Sequence, residues 1–255
     1  MTEAVAIIPA RYGSTRFPGK ALADLCGKPV IRHVYERVSL SKRISRVFIA
    51  TDDERIARAV EDFGGAAVMT SPDHQSGTSR VIEASRVTGG DIIVNVQGDE
   101  PLIEPTLIDA VIERLDGDSD IVCSTAAFPA ADRADYTDPH AVKVVFDDRG
   151  SALYFSRSPI PCYRDSTHGK AYIHVGIYCF RRDFLTSYAT LEETPLERAE
   201  KLEQLRILEH GYRIGVIVTG HAAVGIDTEE DLERVRCLIE KQCDTGAGIR
   251  AENNR

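Results

Sequence analysis

The sequence predicts an α/β fold around a mixed, mainly parallel sheet, and three observations carry that prediction. Apolar runs at Val5-Ala6-Ile7-Ile8, Val47-Phe48-Ile49-Ala50, Ala66-Ala67-Val68-Met69 and Ile92-Ile93-Val94-Asn95-Val96 read as buried strands. Helix-like stretches near 53–63 and 78–87 separate them, an alternation that calls for parallel pairing with right-handed crossovers. After residue 120 the pattern changes: Val142-Lys143-Val144-Val145-Phe146 and Ala152-Leu153-Tyr154-Phe155 flank the turn-rich Asp147-Asp148-Arg149-Gly150, so a hairpin enters and the sheet becomes mixed.

Taken in order, Val5–Ile8 feeds the loop Pro9-Ala10-Arg11-Tyr12-Gly13-Ser14-Thr15-Arg16-Phe17-Pro18-Gly19-Lys20, and Gly27-Lys28-Pro29-Val30 then opens a helix. Ile121 to Thr125 is a further strand. From Tyr172 to Phe180, strict alternation puts Ile173, Val175, Ile177 and Cys179 on a core face and Tyr172, His174, Gly176 and Tyr178 on a cleft wall. Helices are expected near 196–210 and 228–241, with a strand at Ile214 to Thr219 between them. One domain over 1–243 accounts for the pattern, with a hairpin-containing subregion at about 130–210; the tail 244–255 has no apolar period and is expected to be mobile.

Size and composition narrow the possibilities. A chain of 255 residues can bury roughly three quarters of its unfolded surface in one large domain. The formal net charge of -9 argues against nucleic acid or anionic membrane as a partner. No apolar stretch nears the roughly 20 residues of a membrane span, and Met1-Thr2-Glu3-Ala4 lacks a leader's basic and apolar regions, which predicts a cytoplasmic protein. The six cysteines form no C-x-x-C pair and read as reduced packing residues.

Against that acidic background, the loop from Pro9 to Lys20 concentrates Arg11, Arg16 and Lys20 at the carboxyl end of a strand, where nucleotides bind in open α/β sheets. It is not a Walker loop, since Gly13 and Gly19 are one residue too far apart and Ala21 follows Lys20. No G-x-G-x-x-G enters the helix directly either. A triphosphate or similar polyanion, gripped by Arg forks, the Lys charge and backbone N–H groups, fits what remains.

Two acidic tips complement that loop. The strand at 92–96 runs into Gln97-Gly98-Asp99-Glu100-Pro101, where Pro101 ends ladder bonding and Asp99 is presented as a metal carboxylate or as a simple turn residue. In Gly225-Ile226-Asp227-Thr228, Thr228 and Asp231 form a helix-capping pattern that leaves Asp227 over. Were Asp99 and Asp227 about 4 Å apart, their repulsion would be on the order of 4 kcal/mol at an effective dielectric of ~20. A divalent cation reverses that sign, and beside a triphosphate the suited ion is Mg²⁺. The polar segment Asp73-His74-Gln75-Ser76-Gly77-Thr78 suits reading a base edge, while Ser76 or Thr78 equally suits capping a helix. Glu203, flanked one turn away by Ala199 and Ile207, faces protein and calls for an Arg or a polyhydroxy substrate.

These motifs, together with Ala152-Leu153-Tyr154-Phe155-Ser156-Arg157, His174-Val175-Gly176-Ile177-Tyr178, Lys201-Leu202-Glu203-Gln204-Leu205-Arg206 and Asp227-Thr228-Glu229-Glu230-Asp231-Leu232, resemble the 3-deoxy-manno-octulosonate cytidylyltransferases from about Val5 to Arg236. These are the CMP-Kdo synthetases of lipopolysaccharide biosynthesis, where Kdo is 3-deoxy-D-manno-octulosonate. The resemblance implies a three-layer αβα nucleotidyltransferase fold, a homodimer, and transfer of CMP from CTP to Kdo. It implies that Pro9, Ala10, Arg11, Ser14, Lys20, Asp73, Ser76, Gly77 and Asp99 contact the nucleotide, and that Arg16, Gln97, Arg157, His174, Tyr178, Glu203 and Gln204 form the sugar-acid site. Asp99 and Asp227 would hold Mg²⁺, with Lys20 and Arg11 completing the catalytic set. Departures are Ile173 before the His, a short 162–171 loop and the tail beyond Gln242. Rival readings are a CMP transferase for another sugar acid (an amino-substituted Kdo or a nonulosonic acid), a noncatalytic nucleotide sensor, and a glycosyltransferase.

Overall fold

The computed structural model describes residues 2–14, 16–130, 133–164, 170–220 and 224–252. Strand β1 (Ala4–Ala10) leads through a 3-10 turn (Lys20–Leu22) and a small hairpin, β2 (Asp24–Leu25) with β3 (Lys28–Pro29), into α1 (Val30–Val38). There follow β4 (Ile44–Thr51), α2 (Glu54–Asp62), β5 (Ala66–Met69), α3 (Gly77–Thr88), β6 (Ile92–Asn95), α4 (Pro105–Asp116) and β7 (Cys123–Pro129). The second half comprises α5 (Arg133–Thr137), β8 (Lys143–Phe146), β9 (Ala152–Ser156), β10 (Tyr172–Arg181), α6 (Arg182–Tyr188), α7 (Pro195–Glu200), α8 (Gln204–Glu209), β11 (Ile214–Val218) and α9 (Glu229–Glu252).

The main sheet runs β11-β7-β10-β6-β1-β4-β5, parallel except for β10, which is antiparallel to both β6 and β7. The β8-β9 hairpin joins it through Ile173 opposite Lys143. Helices cover both faces, as the two-sided burial of β1 requires. Ala4, Ala6 and Ile8 pack with Ile31 and Val34 of α1 and Ile108 and Val111 of α4. Val5 and Ile7 pack on the opposite side with Val81 of α3 and Phe184 of α6. The expected mixed three-layer architecture is therefore present.

Local chemistry sets the boundaries. Ser76 caps α3 by accepting from the Ser79 N–H at 3.2 Å, and Thr228 with Asp231 caps α9, the Asp231 N–H donating to Thr228 Oγ1 at 3.2 Å. The β10 alternation holds, with Ile173, Val175, Ile177 and Cys179 buried and an irregularity in its pairing to β7 between Val175 and Tyr178.

Several expectations need correction. The single helix at 196–210 is two helices, because Lys201 adopts a left-handed conformation (φ 53°) at the end of α7. Glu203 consequently sits at the N-cap of α8, and its supposed helical row with Ala199 and Ile207 does not exist. Cys123 and Cys179 are buried packing residues, but Cys26, Cys162 and Cys237 are exposed. Helix α9 extends past the expected end at 241 to Glu252. Positions 165–169 of the short loop and 253–255 of the tail lie outside the described residues. Among those described, no helix is long and apolar enough to cross a membrane.

Candidate active site

Two glycines allow the loop from Pro9 to Lys20 to close against β6. Gly19 has φ 75°, and a Cβ there would stand 3.0 Å from the Tyr12 ring, around whose carbonyl the Ser14 and Gly19 N–H groups fold at 2.9 and 2.8 Å. A Cβ on Gly98 would lie 2.6 Å from the Pro9 carbonyl, so the ends of β1 and β6 approach as they do only because residue 98 has no side chain. Arg55 of α2 covers the outside of the loop, its guanidinium carbon 3.4 Å from the Tyr12 ring centroid.

A pocket of about 260 Å³ results, lined by Pro9, Ala10, Arg11, Ser14, Arg16, Lys20, Gln75, Ser76, Gly77, Arg80, Gln97, Gly98, Asp99 and Asp227. The loop, the start of α3 and both acidic tips thus meet in one place. Lys20 Nζ donates to Asp99, to Asp227 Oδ1 at 3.1 Å and to the Ile226 carbonyl at 3.0 Å. Arg16 holds the other Asp227 oxygen at 2.9 Å. The Asp231 carboxylate accepts from the Asp227 and Thr228 N–H groups, both at 3.1 Å, and so fixes the backbone from which Asp227 projects.

The two carboxylates therefore converge on a cation, the Lys20 ammonium, and present the hard oxygen donors that Mg²⁺ takes when phosphate oxygens and waters complete its shell. The donor set fits that ion. No cluster of three or more metal-ligating side chains occurs among the described residues.

A second cavity, of about 810 Å³, lies between the 73–86 segment and the 188–206 segment. Gln75 and Ser76 line both cavities, which makes them neighbours across one wall. Asp73, Lys201, Glu203 and Arg206 face the larger one. His74 pairs with Glu83, which lowers the Glu83 pKa through that hydrogen bond and the one from the Ser71 N–H.

The remaining candidate sugar residues are placed by β9, β10 and α8. Thr125 donates to the Ile177 carbonyl at 2.7 Å, which leaves His174 Nε2, 2.8 Å away, as the donor to the Thr125 hydroxyl. Burial drives the His174 pKa down to about 3, so the ring is neutral at physiological pH. Tyr178 stacks with Phe180 and packs against His174, and burial raises its phenol pKa. Arg157 donates Nε to the Glu200 carbonyl at 2.8 Å, and Gln204 is buried in α8. Gln97 bonds the Gly176 carbonyl at 3.2 Å, tying the pocket to β10. Arg157, His174, Tyr178 and Gln204 line neither cavity.

Sequence reasoning missed two groups. Arg80, 3% exposed, reaches the pocket from the first turns of α3 while pairing with Asp52 at 3.4 Å. Its signal was a cation near a helix N-terminus, against the helix dipole. Glu100, next to Asp99, is buried; burial and then the Asp99 charge raise its pKa to about 8.

Known proteins share both the sequence and the fold. A cytidylyltransferase family model matches residues 5–214. A 3-deoxy-manno-octulosonate cytidylyltransferase of Geotalea uraniireducens is 53% identical over 92% of this chain and 98% of its own. One from Solibacter usitatus is 49% identical over 95% and 96%. A solved CMP:2-keto-3-deoxy-manno-octonic acid synthetase, complexed with CTP, superposes with TM-score 0.91 and 44% identity, covering 94% of this chain and all of that one. A cytidylyltransferase from Leptospira borgpetersenii shares the fold at TM-score 0.65 and 19% identity.

Proposed function

Since the chain belongs to the 3-deoxy-manno-octulosonate cytidylyltransferase family, we propose that it transfers CMP from CTP to the anomeric hydroxyl of Kdo and releases pyrophosphate. The observation that carries this reading is the convergence of Lys20, Asp99 and Asp227 beside Arg11, Ser14 and Arg80 in one pocket. Cations and carboxylates at that spacing suit a triphosphate bound with a metal, and a 44% identical protein of the same fold holds CTP.

The Kdo oxygen attacks the α-phosphorus, the bond to the β-phosphate breaks, and pyrophosphate leaves with the electron pair while the hydroxyl proton is released. Arg11, Ser14 and Lys20 bind the triphosphate and screen the charge that builds on the leaving group. Ser76 and Gly77, with Asp73 beyond the wall, take the cytosine end. Arg16, Gln97 and Glu203 line the two cavities and receive the sugar acid, while Arg157, His174, Tyr178 and Gln204 stand outside both and act through the residues that line them. Mg²⁺ held by Asp99 and Asp227 would supply Lewis-acid activation of the attacking hydroxyl. On the same family ground we place the reaction in the cytoplasm and the chain in a homodimer.

Incubation of the purified protein with CTP, Mg²⁺ and a panel of sugar acids tests the reading. Pyrophosphate release is expected with Kdo; release with a nine-carbon acid or an amino-substituted Kdo, and none with Kdo itself, would overturn it.

A further inference from the structure

Lys143 lies at the start of β8 and is wholly buried, at 0% exposure. Buried lysines are rare, since a desolvated ammonium needs a full set of partners. Here all three N–H bonds are met by backbone carbonyls, those of Asp138 at 2.7 Å, Ala141 at 2.6 Å and Arg157 at 2.6 Å. Burial lowers the Lys143 pKa, while Asp138 and Glu200 oppose that shift and Arg157 adds to it.

One acceptor carbonyl belongs to Arg157, itself a candidate sugar-acid residue, and the other two to the 138–141 segment. Arg157 is held from several sides. Its carbonyl accepts from Lys143, its N–H donates to Glu200 Oε2 at 3.0 Å, and its guanidinium donates to the Glu200 and Pro139 carbonyls at 2.8 and 3.2 Å. Glu200 also accepts from the Ser156 hydroxyl at 2.6 Å, which fastens β9 to the end of α7, three residues before Glu203. The His174 N–H donates to the Val142 carbonyl at 2.8 Å, one residue before Lys143. Arg157, His174 and the turn leading to Glu203 thus meet at one junction around a single buried ammonium.

We propose that Lys143 is a positioning residue for the acceptor end of the reaction, acting through Arg157 and its Glu200 partner. The proposal rests on the reading of the acceptor as a sugar acid. An ammonium is suited to this place because three carbonyls converge from two separate stretches of chain, and only a three-donor group satisfies all of them. The nucleotide pocket has no residue in this network. Loss of the ammonium therefore loosens the acceptor residues and leaves CTP binding intact.

The test is steady-state kinetics on Lys143→Met, with CTP and Kdo varied independently. KM for Kdo is expected to rise about tenfold and KM for CTP to stay within about twofold, the signature of a lost site contact worth roughly one decade. Lys143→Met is then added to Arg157→Ala, where less than a twofold further change is expected if Lys143 acts through Arg157. Glu200→Gln, the milder change, should shift KM for Kdo in the same direction and serves if Lys143→Met fails to fold. A parallel rise in both KM values, or fully multiplicative effects in the double variant, overturns the proposal. Hydrogen exchange gives a readout that needs no substrate. Faster exchange at 138–142, 157 and 200–203 with β1 and β6 unchanged is expected, and unchanged exchange at those segments overturns the proposal. Should the wild-type protein turn over no Kdo, the functional reading fails, while the exchange comparison still decides the role of Lys143.

Discussion

Lys20 Nζ stands between Asp99 and Asp227, bonded to both carboxylates and 3.1 Å from Asp227 Oδ1. The three residues come from separate loops, 79 and 207 positions apart, and their meeting makes one electrostatic unit of the site. The ammonium offsets a repulsion that would otherwise oppose folding. The two carboxylates in turn hold the lysine at the mouth of the pocket where a triphosphate would lie. Charge of either sign is thus arranged ahead of the substrate, as electrostatic preorganisation requires.

Neutralising either partner should therefore affect turnover more than stability. Asp99→Asn and Lys20→Met are each expected to lower kcat by roughly 10²–10³-fold, the usual effect of removing one preorganised group. Because Asp227 is nearly half exposed, its pair with Lys20 contributes only about 1 kcal/mol to folding. Pyrophosphate release and thermal unfolding measured on the same samples check this, and a variant whose unfolding temperature falls sharply while its kcat is retained contradicts it.

Gly98 tests whether the approach of β1 and β6 builds the pocket. A methyl at this position meets the Pro9 carbonyl at 2.6 Å and Ile31 Cδ1 at 3.4 Å, with backbone on one side and core on the other. Gly98→Ala should destabilise by about 1–3 kcal/mol through overpacking. It should also raise KM for CTP, since Pro9 and Asp99 must move apart. Thermal unfolding together with CTP titration reads both effects.

Arg206 and Glu197 tie α8 to α7 through two bonds, at 2.6 and 2.7 Å, with Glu197 only 5% exposed. Glu197 also completes the capping box at Thr194, its carboxylate accepting from the Thr194 N–H at 3.3 Å. Arg206→Ala leaves that carboxylate buried and short of a partner, at a cost of about 2–4 kcal/mol. Urea unfolding measures it, and the milder pair Glu197→Gln with Arg206→Met should recover part of the loss.

What the sequence discloses follows from the range of the forces involved. The strands Val5–Ile8 and Ile92–Val96 are legible because burial on both faces demands unbroken apolar runs. The Ser76 and Thr228 caps are legible because capping is decided within four residues. The break at Lys201 is not, since no glycine or proline marks its left-handed turn. Lys143 stands in the expected strand from Val142 to Phe146, where no local pattern marks it as buried. Only the 138–141 segment folding over it, a tertiary event, turns it into a buried strut. Likewise Asp99 and Asp227 each show as an unexplained acidic tip, but no local pattern brings them to one ammonium.

Two buried groups beside the site give stability a pH dependence with opposite signs. The His174 pKa is lowered from 6.5 to about 3 by burial, so between those values the unfolded chain binds a proton that the native state does not. Stability from this group is complete above pH 6.5 and falls by about 1.4 kcal/mol for each unit below it. The Glu100 pKa is raised from 4.5 to about 8 by burial and then by Asp99, so between those values the native state holds the extra proton. Its contribution is complete below pH 4.5 and is lost as pH rises towards 8. Across the shared window from pH 4.5 to 6.5 the two slopes oppose each other, and the wild-type protein should change little between pH 6.5 and 5. His174→Gln leaves Glu100 unopposed and should gain stability by about 2 kcal/mol over that interval, whereas Glu100→Gln should lose about as much. Urea unfolding of the three proteins at the two pH values decides it, and parallel slopes in both variants would show that neither group titrates as its burial dictates.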